Sequence, residues 1–289
     1  MRLQLASCIV FTFFAIGTNL SISPSAKAAN FKTNFTQDED TSKGDIWLDS
    51  ITQNQVTFDN FSLVNSAEIL SNTPIIGVKP GNTSTPGPRN NNTGAGSTDK
   101  GDNATAPVPV SGLNNPTNSQ ITALLGNRNL NNLIDTEDDG ASKINLFFDS
   151  DIQKDDTGLD NLFFWERGKN SDLGVQAIDS SGKLVGKFLK LSRFQQIDAG
   201  YSIDTTEISS SQDVGSWGVN LSQLGVDSLS GIQIIAKSQA NKDSENYDGP
   251  DYKVVARKKV RVPEPGTILG LGMIAGISAL LRRRVIKLQ

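Results

Sequence analysis

At 289 residues with a net charge of −4, the chain has room for one large or two small domains and no basic surplus that would make nucleic acid its main partner. Hydrophobic residues make up 36% and aromatic residues 7%, so a core exists but does not fill the whole length. Histidine is absent and Cys8 is the single cysteine, which excludes Ser-His-Asp and Cys-His catalysis, imidazole metal ligands, disulfides and thiolate metal clusters.

Residues 1–28 read as a secretory signal peptide. Arg2 supplies the positive start, Leu3 to Ile16 the apolar stretch, and Ala26 and Ala28 the small residues of a cleavage site. The expected partners of that segment are the Sec export machinery and signal peptidase. Leu5-Ala6-Ser7-Cys8 spells a lipobox, but it precedes most of the apolar segment where a lipobox should follow it. Cleavage after Ala28 discards Cys8. Residues 29–70 carry two strand-like runs, Asp45 to Asp49 and Gln55 to Val64, too small for an independent core and expected to pair with a later sheet. Residues 71–120 hold seven of the eleven prolines among Asn, Thr and Gly, and no Phe, Tyr or Trp occurs from Ser62 to Leu146. Such a segment lacks the apolar surface to offset its ordering entropy, so it reads as a disordered insertion.

The body, residues 121–261, reads as mainly β. Ile121 to Ile134 fits a short helix with Leu124, Leu125 and Leu133 facing the core. Apolar runs then recur at Ile144–Phe148, Leu159–Trp165, Leu173–Ile178, Leu184–Leu191, Gly200–Ile203, Trp217–Leu221, Ile232–Ala236 and Tyr252–Ala256, divided by turn clusters such as Asp179-Ser180-Ser181-Gly182. This spacing predicts an antiparallel β-sandwich or jelly-roll-like body. Leu162-Phe163-Phe164-Trp165 has no polar break, which predicts cover on both faces, whereas Lys187 and Lys190 give Leu184–Leu191 a solvent face.

Residues 262–289 form a distinct tail. Val262-Pro263-Glu264-Pro265 precedes sixteen uncharged residues, Gly266 to Leu281, and then Arg282, Arg283 and Arg284. Sixteen helical residues rise about 24 Å against a hydrocarbon core of roughly 30 Å, a marginal transmembrane helix suited to transient anchoring. The arginines are a stop-transfer signal that stays cytoplasmic and leaves the body outside. Loss of the six basic residues carried by the two ends takes the net charge from −4 to about −10.

The tail closely resembles the PEP-CTERM sorting segment of exosortase substrates, in its cyanobacterial Val-Pro-Glu-Pro form. Leu162-Phe163-Phe164-Trp165-Glu166-Arg167-Gly168, Asp172 to Asp179 and Asp248 to Val255 are similar to cyanobacterial exosortase-dependent surface proteins. The resemblance implies that Pro263, Glu264 and Pro265 form the sorting motif read by exosortase. It further implies a transient stay in the inner membrane, then delivery to the cell surface or extracellular matrix, where surface polysaccharide is a candidate partner. It supplies no reaction and no required cofactor, and a non-enzymatic protein is the expectation.

Three constellations were weighed for chemistry in the body. Asp149, Asp151, Asp155 and Asp156, with Asp160, lie between two expected strands, and Asp243, Glu245, Asp248 and Asp251 lie near the end. Loop carboxylates of this density can serve calcium, although Gln153 and Lys154 break the EF-hand pattern; the competing reading is solvated turn residues. Trp47, Trp165 and Trp217, with Tyr201, Tyr247 and Tyr252, are the residues a carbohydrate-binding module would stack on sugar rings, against ordinary core packing. Glu166 and Asp160 are the carboxylates that a secreted hydrolase would have to bring together.

Overall fold

Residues with apolar side chains on both parities of a strand need a layer on each side of their sheet, and this chain builds one. The computed structural model describes residues 31–37, 42–73, 95–100, 115–136, 141–205, 210–237 and 250–259. In chain order the strands are β1 Phe31–Gln37, β2 Ile46–Gln53, β3 Val56–Phe58, β4 Phe61–Ser62, β5 Val64–Asn72, β6 Ala95–Lys100, β7 Asn132–Thr136, β8 Ala141–Gln153, β9 Leu162–Arg167, β10 Leu173–Ile178, β11 Leu184–Leu191, β12 Ile197–Ile203, β13 Gln212–Val219, β14 Ser228–Lys237 and β15 Tyr252–Arg257. Helix α1 spans Asn118–Leu125, α2 spans Leu221–Leu224, and a 3-10 turn, Arg193–Gln195, lies between β11 and β12.

The strands form three antiparallel sheets. The first is β1-β2-β3, the second β11-β10-β14-β8-β5, and the third β12-β13-β9-β15-β7-β6, with β4 paired to the end of β15. The second and third sheets enclose one core, where Ile144, Leu146, Val175, Ile232 and Ile234 meet Leu162, Phe164, Trp217, Val219 and Val254. The first sheet covers the opposite face of the third through Phe31, Ile46, Leu48, Ile51 and Phe58, which meet Phe163, Trp165, Val214 and Val255. The body is therefore a sandwich with an added third layer, and β9 and β15 are buried at every residue. The unbroken run Leu162–Trp165 has the double cover its composition predicts.

The front strands depart from expectation in an instructive way. β2 and β3 join β1 in a sheet of their own, turning through Asn54 and Gln55 at φ 50° and 66°, the left-handed pair of a two-residue hairpin. Only β4 and β5 pair with the later sheets, on β15 and β8. Within the range 71–120 expected to lack structure, β6 forms the outer strand beyond β7 and α1 opens at Asn118. Backbone pairing needs no apolar side chain, which is why Ala-Gly-Ser-Thr-Asp-Lys can join a sheet edge unannounced.

The expected helix over Ile121–Ile134 is displaced and shorter. Thr117 and Gln120 form a reciprocal cap at its start, and it ends at Gly126, where a Cβ would lie 2.6 Å from the carbonyls of both Thr122 and Val64. Asn127 then donates to the carbonyls of Ala123 and Leu124, sealing the last turn. Leu124, Leu125 and Leu133 are all buried as expected, the third from β7 instead of the helix. Leu221, expected to end a strand, opens α2 because Asn220 and Gln223 cap it.

β11 is an edge strand whose Lys187 is exposed and whose Lys190 reaches Asp172 at 3.2 Å. Phe163, by contrast, meets Phe31 edge-on at 4.9 Å and Phe58 at 5.6 Å between two layers. Phe163→Ala is expected to cost about 3–5 kcal/mol in urea unfolding, and Phe194→Ala, at an 89% exposed position, about 0.5 kcal/mol or less.

Candidate functional site

The segments that carry the sorting expectation, Ala26 and Ala28 at one end and Pro263, Glu264, Pro265, Arg282, Arg283 and Arg284 at the other, lie outside the described residues, as do the expected transmembrane helix, Asp243, Glu245, Tyr247 and Asp248. No helix among the described residues is long and apolar enough to cross a membrane.

The acidic residues of β8 and of the loop after it are drawn to separate partners. Asp149 accepts from Ser62 Oγ and lies 3.3 Å from Lys258 Nζ, while Asp151 accepts from Ser230 Oγ. Asp155 binds the Arg257 guanidinium through both oxygens, at 2.7 and 3.2 Å, and also accepts from Thr157 Oγ1. Asp156 is exposed, and Asp160 accepts from Gln53 Nε2 at 2.7 Å. Among the described residues, no group of three or more carboxylates converges in a way that would hold a metal ion. Asp149 and Asp151 belong to β8 and Asp155, Asp156 and Asp160 to the loop after it, and partners on β4, β14, β15 and β2 hold four of them apart.

The aromatic set separates as well. Trp165 and Trp217 are buried, their ring nitrogens donating to Thr33 Oγ1 at 3.0 Å and to the Ser192 carbonyl at 2.9 Å. Tyr201 and Tyr252 are buried too, and Trp47 alone of the three tryptophans is exposed, at 40%. A stacking platform of two tryptophans on one face is not assembled; the core-packing reading holds for Trp165 and Trp217. Glu166 and Asp160 also fail to meet. Asp160 precedes β9 and Glu166 lies near its far end, six residues or about 20 Å apart along an extended chain, whereas paired glycosidase carboxylates stand roughly 5–9.5 Å apart.

What the structure does assemble is a set of buried charges on the doubly covered strands. Arg167, at the end of β9, donates from Nε and Nη2 to Asp251 Oδ2 at 3.1 and 2.8 Å and from Nη1 to Thr205 Oγ1 at 2.9 Å, with Asp135 Oδ1 3.8 Å from Nη2. The Thr136 amide donates to the other Asp251 oxygen at 3.1 Å. Burial pushes the Asp251 carboxyl up, Arg167 pulls it down, and Asp135 and Glu166 push it up again; the net direction is well upward.

Two further cations lie on β15. Arg257 is fully buried, bound to Asp155 and to the Asp160 carbonyl at 2.9 Å, with its guanidinium 5.5 Å from the centre of the Phe58 ring. Burial pushes the Asp155 carboxyl up, but the bonds from Arg257 and Thr157 outweigh it and hold the group below the ordinary aspartate value. Lys253 Nζ donates to the carbonyl of Leu124 at 2.8 Å and to Asn127 Oδ1 at 3.3 Å, where it meets the negative end of α1. Burial drives its ammonium well below the usual lysine range.

Glu166 completes the set on the opposite face of β9 from Arg167. Its Oε2 accepts from Gln196 Nε2 at 2.9 Å. Burial outweighs that bond, the charge of Arg167 and the amides of Lys169 and Asn170, and pushes the carboxyl up to about 8. A raised glutamate suits a general acid, yet Glu166 is 0% exposed. These groups tie strands to one another: Arg167 joins β9 to the start of β15, to β7 and to the end of β12, and Arg257 joins β15 to the loop after β8. The sequence reading missed this set, although charged residues inside otherwise apolar runs, Glu166-Arg167 and Lys253 with Arg257, were its signal.

No protein-family model matches the chain, and no curated protein and no solved structure is significantly similar to it.

Removing one partner of a buried pair strands the other charge. Asp155→Ala is expected to lower stability by about 3–5 kcal/mol at pH 7 in chemical denaturation, and Asp151→Ala, at an exposed carboxylate, by about 0.5 kcal/mol or less. Because the Asp155 carboxyl is depressed in the folded state, its contribution is present above the ordinary aspartate value and is lost as pH falls through the folded one, so the difference between the two variants shrinks in acid.

Proposed function

We propose that the chain is an exported, exosortase-sorted surface or extracellular-matrix protein whose β body has a non-enzymatic role. The observation that carries this reading is the order of the tail: Val262-Pro263-Glu264-Pro265, then Gly266 to Leu281 without charge, then Arg282-Arg283-Arg284. A signal segment at the opposite end asks for the same orientation by an independent feature.

The layout of the body supports the reading. The first strand opens at Phe31, just past Ala28, and the last ends at Arg257, ahead of the Pro-Glu-Pro block. Processing at both ends would leave every described strand and both cores intact. The body would then leave the inner membrane as a folded unit without cysteine, indifferent to the redox state outside the cell. The buried ion pairs brace strands to one another, which suits a scaffold. Trp47, the exposed tryptophan, leaves room for surface polysaccharide as a partner without the paired platform of a dedicated module.

Deleting Pro263, Glu264 and Pro265 tests the sorting step. Cell fractionation should find the parent chain shortened and beyond the inner membrane, and the deletion variant retained in the inner membrane at precursor length. Unchanged size and distribution in the variant would reject exosortase sorting.

A further inference from the structure

β11 lies in the second sheet and β12 in the third, so the turn Arg193–Gln195 is where the chain crosses between the layers, at one end of the sandwich. Three contacts hold the crossover: Trp217 Nε1 donates to the Ser192 carbonyl at 2.9 Å, the Arg193 amide to Asp172 Oδ1 at 2.6 Å, and Gln196 Nε2 to Glu166 Oε2 at 2.9 Å.

The third contact is built with care and is incomplete. Gly215 on β13 stands directly opposite Glu166 on β9. A Cβ at Gly215 would lie 2.2 Å from Gln196 Oε1, so the absence of a side chain lets the Gln196 amide lie across β13 to reach the carboxyl. Two oxygens are left over. Glu166 Oε1 and Gln196 Oε1 are both buried and neither receives a hydrogen bond. Each unsatisfied buried acceptor is destabilising. A carboxyl and a carboxamide joined by one N–H···O bond, each with a spare oxygen, lack a single hydrogen. A carboxylate cannot provide it, whereas a carboxylic acid can.

We propose that Glu166 is a neutral carboxylic acid at neutral pH whose Oε1–H donates to Gln196 Oε1, closing a two-bond ring that latches the crossover, and that loss of this proton at alkaline pH releases it. The step is a simple ionisation: the proton passes to solvent, the electron pair stays on Glu166, and two oxygens then face each other with no hydrogen between them.

The surrounding charges leave Glu166 without an ion pair among the described residues. Arg167 points to the other face of β9, toward Asp251 and Asp135. Lys169 pairs with Asp198 at 3.1 Å, and Asp172 faces Lys190 at 3.2 Å and Arg193 at 3.6 Å. Tyr252, the cross-strand neighbour on β15, has a buried hydroxyl that makes no hydrogen bond. The upward shift of the Glu166 carboxyl to about 8 agrees with this geometry. A folded-state value raised above the ordinary one means that the latch is complete below the ordinary glutamate value and is lost as pH rises toward about 8 and beyond.

The test uses the full chain with carboxyl-13C glutamate, alongside Glu166→Gln, whose carboxamide can donate where the acid would. NMR should show one glutamate carboxyl still protonated at pH 7, titrating near the raised value and absent from the variant. Tryptic cleavage after Arg193, normalised to a denatured control, should rise severalfold from pH 7 to pH 9 in the parent chain and stay flat in Glu166→Gln. A Glu166 signal already ionised at pH 6, or the same pH response in both proteins, would overturn the latch.

Discussion

Burial of both faces of β9 and β15 is the constraint from which the rest of the structure follows. A strand covered on one side can turn its charged residues to water; a strand covered on both cannot. Glu166, Arg167, Lys253 and Arg257 therefore had to find partners in place, and each did so by drawing in another segment. Arg167 gathers Asp251, Asp135 and Thr205, Arg257 gathers Asp155, and Lys253 closes the end of α1. Charges that would be a liability in an ordinary sandwich serve here as cross-braces.

The same constraint explains why the aspartates from Asp149 to Asp160 take separate partners. Asp155 is drawn inward because Arg257 needs a counterion, which separates it from its exposed neighbours Asp151 and Asp156. It also separates the roles of adjacent residues. Arg167 turns to the layer shared with β1–β3, while Glu166 turns to the sandwich interior and the crossover at its end. One residue of register decides which side chain is ion-paired and which is held by an amide.

Much of the fold was legible because apolar runs bounded by turn residues are a local signal. Leu173–Ile178 and Leu184–Leu191 are strands with those bounds, and the double cover of Leu162–Trp165 could be read from its unbroken composition. What escaped was set by partners distant in the chain. Phe31–Gln37 carries apolar residues only at Phe31 and Phe35, and becomes a strand because β2 offers it an edge. The helix expected from sequence runs too far because Leu130, Leu133 and Ile134 continue an apolar rhythm past Gly126, the cap at which α1 ends. The aspartates from Asp149 to Asp160 were legible as a cluster, but Ser62, Arg257 and Lys258, which claim two of them, lie tens of residues away. The Glu166–Gln196 pair depends on a bare position at Gly215, and neither spacing nor composition announces it.

Native-state amide hydrogen exchange tests the double burial most directly, because strands enclosed by two layers should open only when the whole body unfolds. The account predicts that the amides of β9 and β15 exchange slowest, with free energies equal to that of global unfolding and well above those of β11 and β6 at the sheet edges. Exchange of β9 as fast as that of β11, with the body still folded, would contradict it.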